Sequence, residues 1–218
     1  MMSAAERRQK ILDEIAAAAK LARREPADVQ LIAVSKTRSA EQIEELISAG
    51  QRVFGESRVQ EALEKWPSLL ERHPGVRLHC IGRLQSNKAA EAVKLFDVIH
   101  SVDRPSLLRA LVKEAEKEDR PPSVYVQVNI GDEEQKGGCP IGDLGSLVEA
   151  VRSTPIPLVG LMAIPPLGVE AAPFFALLAK LAQDHGLAGL SMGMSGDFKS
   201  AVMLGATAVR IGTALFED

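Results

Sequence analysis

The sequence predicts an α/β fold, a (β/α)8 TIM barrel, on three observations. Eight short runs of β-favouring residues alternate with helix-patterned segments, no linker or low-complexity stretch interrupts them, and the composition is rich in Ala, Leu and Gly but only 4% aromatic. Helices packed on a parallel sheet suit such a composition better than an aromatic-rich antiparallel sandwich does. Strand count alone also admits an open doubly wound sheet, and in either architecture the loops that follow the strands meet on one face. At 218 residues the chain is long enough to bury a substantial core, and it is expected to form a single barrel domain over residues 1–218 with an amino-terminal helix.

The elements follow in order. Residues 4–24 carry Ile11, Leu12, Ile15, Ala18, Ala19 and Leu21 at helical spacing, and Pro26 and Asp28 end that helix. The run VQLIAVSKT at 29–37 is the first strand, with Lys36 just beyond it, and Ser39 followed by Gln42 marks a capped helix that stops at Gly50. A short strand at 52–54 leads through Gly55, Glu56, Ser57 and Arg58 into a helix at 59–70, whose Leu63, Trp66 and Leu70 share one face and make Trp66 a packing residue. Strands at 76–81 and 96–102 flank a helix through Leu95, and Asp103 is the expected cap of the helix that runs on through Glu118. The fifth strand, 124–130, exits into GDEEQKGGCPIG, a glycine-rich, charged loop expected to be exposed and mobile unless something is bound there. Then come a helix at 142–152, a strand at 157–162, a helix at 170–185, a strand at 187–192, a helix opened by Ser195, Gly196, Asp197 and Phe198, an eighth strand at 208–211, and a final turn from Gly212 and Thr213. The first helix is placed to fill the ring where the last unit is short.

Composition excludes several functions. With 26 basic and 29 acidic residues and a formal charge of −3, the chain has no basic run or tail, so nothing points to nucleic acid. Cys80 and Cys139 have no metal-ligand spacing and read as free thiols, and His79 beside Cys80 would face the opposite side of a strand. The opening MMSAAERRQKILDEIAAAAK has no continuous apolar signal core, and no apolar run reaches membrane-spanning length. A cytoplasmic protein off the membrane is expected, and a charged outer surface leans it towards a monomer.

Chemistry is expected where the loops gather. A lysine at the carboxyl end of a core strand projects its amine into the mouth while its stem packs below. Ser195-Gly196 and Gly212-Thr213 follow the last two strands, where barrels hold phosphate on backbone N–H groups. Arg210, next to the second turn, would keep an aromatic ring nitrogen unprotonated, because guanidinium is always charged. An amine and a phosphate cradle in one mouth suit a phosphorylated aldehyde or ketone held as a Schiff base, which leaves both pyridoxal phosphate and a phosphosugar open.

The motifs AVSKT around Lys36, FGESRVQE at 54–61, HCIGRLQSNK at 79–88, GLMAIPP at 160–166, SMGMSGD at 191–197 and VRIGTALF at 209–216 span nearly the whole chain. With these six in order the sequence resembles the pyridoxal-phosphate homeostasis family, the YggS and PROSC-like proteins, which look like the barrel domain of alanine racemase without its second domain. The resemblance implies that Lys36 forms the Schiff base with pyridoxal 5′-phosphate (PLP). It further implies that Ser195, Gly196, Gly212 and Thr213 hold the phosphate, that Arg210 lies near the pyridine nitrogen, and that Met162 and Ser57 line the cofactor. Family members usually carry asparagine where this chain has Ser57, and a non-basic residue where it has Arg83.

The resemblance also implies a function: a PLP-binding protein of intracellular PLP homeostasis with no defined catalytic reaction, whose partners are PLP and apo PLP-dependent enzymes. The alternative is a racemase-like PLP enzyme acting on amino acids. Racemases of this type use a second-domain tyrosine opposite the lysine, whereas Tyr125, the one tyrosine here, is expected near the bottom of the barrel. Lys136 and Arg38, both cationic and near the presumed mouth, are candidates for a delivery surface.

Overall fold

The computed structural model describes residues 2–133 and 136–217. Eight parallel strands, β1 (Gln30–Val34), β2 (Val53–Glu56), β3 (Arg77–Cys80), β4 (Val98–Val102), β5 (Ser123–Gln127), β6 (Leu158–Met162), β7 (Gly189–Ser191) and β8 (Ala208–Ile211), close in chain order into a barrel. Closure is direct, because β1 pairs with β8 from Gln30 opposite Ala208 to Ala33 opposite Ile211, which excludes the open doubly wound sheet.

Nine helices lie among the described residues: α1 (Ala4–Leu21), α2 (Ala40–Ser48), α3 (Val59–Arg72), α4 (Ala89–Leu95), α5 (Pro105–Glu118), α6 (Leu144–Arg152), α7 (Ala172–Asp184), α8 (Phe198–Met203) and α9 (Thr213–Phe216). Capping boxes start two of them. Ser3 and Glu6 bond reciprocally at α1, as do Ser39 and Gln42 at α2, satisfying amides that the first turn leaves free. Since α9 is only four residues long, α1 packs against α2, α8 and α9 and completes the ring there.

The strands divide two apolar layers by their period of two. Leu31, Ala33, Phe54, Leu78, Cys80, Ile99, Val126 and Val209 face the helices in one large core, while Val98, Tyr125 and Met162 pack together inside the barrel. Trp66 is fully buried in the outer layer against Phe54, with ring centroids 5.1 Å apart. That bears out its packing role, although its indole N–H also donates to Glu56 at 2.9 Å.

Three local expectations are corrected. First, β2 runs on to Glu56, which is therefore a buried strand residue and not part of a mouth loop. Second, Asp103 does not cap α5. Arg104 occupies that position without a side-chain cap, and Asp103 instead accepts the Gly138 N–H at 3.3 Å and pairs with Arg104. Third, the later half of the loop after β5 is tied down. The Cys139 N–H donates to Gln127 at 2.8 Å, Cys139 is buried, and Glu134 and Gln135 of the same loop lie outside the described residues.

Candidate functional site

Lys36 owes its place to β1 and to a carboxylate staple behind it. On β1, Leu31 and Ala33 face the helix layer, and Ser35 continues that face, donating to Glu56 at 2.7 Å. Alternation therefore puts Ile32, Val34 and Lys36 on the lumen side, with Lys36 exposed at the mouth. Thr37 adopts φ 61, a left-handed turn, and donates its N–H to Glu61. Lys65 of α3 reaches up to the carbonyls of Ser35 at 2.9 Å and Arg38 at 3.2 Å, while pairing with Glu56 at 2.9 Å and Glu61 at 3.1 Å. The turn that carries Lys36 is thus bolted to α3 on both flanks. The second carboxylate oxygen of Glu56 is buried without a hydrogen-bond partner among the described residues.

Across the β1–β8 seam, Arg210 stands level with Ile32, inside the barrel and 4% exposed. It donates to Ser191 Oγ at 2.5 Å and to the Ala163 carbonyl at 3.1 Å, and no carboxylate pairs with it among the described residues. Burial pushes its pKa down to about 10, against the opposing fields of Asp197 and Tyr125, so it is cationic at neutral pH.

Beyond Ser191 the lumen holds two histidines. His100 Nδ1 lies 2.8 Å from Ser191 Oγ, and His100 Nε2 lies 3.0 Å from His79 Nδ1. Burial, with Arg77 adding to it, pushes His79 down to about 3, and burial with the fields of His79 and Arg210 holds His100 well below the ordinary histidine range. Both shifts favour the neutral ring. Tyr125 stacks on His100 with centroids 4.4 Å apart, in the middle of β5 and not at its start. Burial raises its hydroxyl pKa, opposed by the nearby Thr207 side chain and the field of Arg210; Thr207 precedes β8 and marks the lower end of the barrel.

On the β7–β8 side, Ser195 and Gly196 form the turn before α8, which begins at Phe198, and Gly212 and Thr213 join β8 to α9. The backbone N–H groups of all four have no acceptor among the described residues. A Cβ added to Gly196 would meet nothing within 4 Å, and one on Gly212 would touch only Val34, from 3.5 Å. Gly193 at φ +94 is required just below, since a Cβ there would come within 2.5 Å of Ala201. The unpaired amides and the open space over Gly196 fit an oxyanion.

Met162 is fully buried beneath the mouth against Tyr125 and Val98. Ser57 is half-buried, and the loop after β3 presses onto its backbone, since a Cβ on Gly82 would lie 2.1 Å from the Ser57 carbonyl. Arg83 is exposed and lines a cleft of about 230 Å³ with Gly82, Gln127, Asn129, Lys136 and Ile164. The two cations considered for delivery are both engaged. Lys136 pairs with Glu133 at 2.6 Å and donates to the Pro165 carbonyl at 3.3 Å, and Arg38 pairs with Glu217.

All eight sequence-derived site positions therefore border the barrel mouth or the lumen under it. Sequence reading missed Lys65, Glu56 and Glu61 as the staple of the Lys36 turn, and Ser191, with His100 and His79 behind it, as the row bonded to Arg210. Among the described residues no group of three or more His, Cys, Asp and Glu could hold a metal, and no helix is long and apolar enough to cross a membrane. Burial pushes the Cys80 and Cys139 thiols up to about 12, so they are poor nucleophiles.

Comparison with known proteins agrees along the chain. The family model described as alanine racemase, N-terminal domain, matches residues 9–218. The pyridoxal phosphate homeostasis protein of Pseudomonas aeruginosa is 43% identical, covering 99% of this chain and 96% of that protein, and that of Escherichia coli K12 is 39% identical over 94% and 92%. The solved structure of PipY from Synechococcus elongatus with PLP bound is 41% identical, covers 93% of this chain and 99% of that one, and superposes with a TM-score of 0.82.

Proposed function

The chain belongs to the pyridoxal phosphate homeostasis proteins, within the alanine racemase N-terminal domain family, and from that premise we propose that it holds PLP in the barrel mouth as a binding and homeostasis protein with no dedicated reaction. The observation that carries this reading is the pairing of an exposed strand-end lysine with two turns of amides that are unpaired among the described residues, in one mouth above a buried arginine with which no carboxylate there makes an ion pair.

The residues divide the work. Lys36 is the amine that makes the covalent link, and the staple from Lys65 and Glu61 fixes the turn that presents it. The amides of Ser195, Gly196, Gly212 and Thr213 would receive the phosphate, Arg210 would face the ring nitrogen, and Met162 and Ser57 would line the ring. PLP supplies an aldehyde that links reversibly to amines, and a ring that withdraws electrons strongly only when its nitrogen is protonated. Arg210 opposes that protonation by its charge. Tyr125 is turned towards the lower end of the lumen, so the chain's one tyrosine offers no acid at the mouth opposite Lys36. Binding and release without carbanion chemistry is the outcome. We also propose that the whole chain acts as one barrel domain and a cytoplasmic monomer that passes PLP to apo enzymes, which light scattering and cofactor transfer to an apo enzyme would check.

A spectral titration with PLP tests the reading. Wild-type protein is expected to develop a new visible band that Lys36→Ala lacks, and amino acids incubated with the loaded protein in D2O are expected to keep their α-proton. Rapid exchange of that proton would favour the racemase-like enzyme, and no band in folded wild-type protein would remove PLP altogether.

A further inference from the structure

The row His79, His100, Ser191 and Arg210 crosses the inside of the barrel, and hydrogen-bond counting fixes its direction. Arginine only donates, so Ser191 Oγ receives from Arg210 at 2.5 Å and must send its own proton elsewhere. The one acceptor within reach among the described residues is His100 Nδ1 at 2.8 Å. His100 therefore carries its proton on Nε2 and donates it to His79 Nδ1 at 3.0 Å, which leaves the His79 proton on its own Nε2. Every lone pair along the row points towards Arg210.

We propose that His79, His100 and Ser191 are positioning residues that hold the Arg210 guanidinium by a neutral, one-directional row of hydrogen bonds, so that its full positive charge is left to face the cofactor ring nitrogen. The inference rests on the PLP-binding reading and specifies how the barrel sets the electronic state of the ring.

Burial of a guanidinium ordinarily demands a carboxylate partner. Such a partner here would cancel the charge and let the ring nitrogen take a proton. Aligned neutral dipoles stabilise the cation without cancelling it. Neutral histidines are required, because a second cation beside Arg210 would repel it. The depressed histidine pKa values agree, and the stacked Tyr125 walls off the row on one side.

Long-range ¹H–¹⁵N spectra of ¹⁵N-histidine protein without PLP read the row directly. Both lumen histidines are expected to be neutral and protonated on Nε2 at pH 6, whereas His100 protonated on Nδ1, or either ring cationic, would overturn the inference. Loading with ring-¹⁵N PLP adds a second readout. In wild-type protein the ring nitrogen is expected to be unprotonated and hydrogen-bonded. Ser191→Ala is expected to move its shift towards that of unbound, unprotonated PLP and to speed PLP release roughly tenfold, as loss of one charge-assisted hydrogen bond would, and Ser191→Thr is expected to restore both. A normal shift and release rate in folded Ser191→Ala would also overturn the inference, and were that variant to misfold, the wild-type tautomers decide. If no adduct forms at Lys36, the binding reading fails and takes the inference with it. If the adduct forms but the tautomers are reversed, only the inference fails.

Discussion

Lys65 and Arg210 are both cations withdrawn from water beneath the barrel mouth, yet their surroundings are opposite. Lys65, outside the β1–β2 edge, is held by two carboxylates and two carbonyls, whereas Arg210, inside the barrel, has a serine hydroxyl and a carbonyl. A compensated charge is spent on structure: Lys65 fastens the turn that carries Lys36. A charge with no carboxylate in contact keeps more of its field, and the place that field reaches is the mouth. The difference separates the residues that build this site from those that face what enters it.

Substitutions that exchange those properties test the contrast. Glu56→Ala strips the main partner from a largely withdrawn lysine, leaves the Trp66 indole N–H without its acceptor and leaves Ser35 only the distant Gly55 carbonyl, so a loss of about 3 kcal/mol in urea-unfolding stability is expected. Glu56→Gln should recover part of it, because an amide oxygen still accepts from both. Arg210→Met should invert the pattern, with a stability change of about 1 kcal/mol or less, since an apolar chain of similar length replaces a desolvated charge, and a roughly tenfold or greater weakening of PLP binding in equilibrium dialysis. Equal stability losses in the two variants would break the distinction.

The histidines sharpen it through pH. His79 is neutral when folded, with a pKa near 3, and its unfolded value is near 6.5, so between those limits the unfolded chain binds the extra proton. Stability should therefore be level above pH 6.5 and fall as pH drops below it, by about 1.4 kcal/mol per pH unit for one such histidine. His79→Asn should flatten that slope in denaturation curves taken between pH 7.5 and 5. The smallest effect belongs to the rim. Arg38→Ala removes an exposed pair with Glu217 and should shift stability by no more than about 0.5 kcal/mol, with PLP binding unaltered in the same dialysis.

Much of this was legible along the chain because the signals are local. The eighth strand matches residue for residue, and the Ser39–Gln42 box starts α2 where expected. The AVSKT, SMGMSGD and VRIGTALF motifs also place Lys36 and the two amide turns, since each motif spans one strand end and its loop. The partners of Arg210 were not legible. His79 to His100, His100 to Ser191 and Ser191 to Arg210 are 21, 91 and 19 residues apart, and only the closed barrel brings them together. Gly55 and Ser57 gave Glu56 the look of a turn, although β2 carries it into the core, where Lys65 makes its burial tolerable. Asp103 misled for a related reason: a good N-cap residue was recruited by a distant glycine amide, Gly138 N–H, in preference to its own helix.

Borohydride reduction of the PLP-loaded protein, followed by peptide mass mapping, asks most directly whether the mouth is a PLP site anchored where the fold presents its amine. A single pyridoxyl-phosphate adduct on Lys36, absent from Lys36→Ala and weakened when Gly196→Val fills the open space beside the amides, is the expected result. Adducts scattered over exposed lysines with Lys36 unmodified would contradict it.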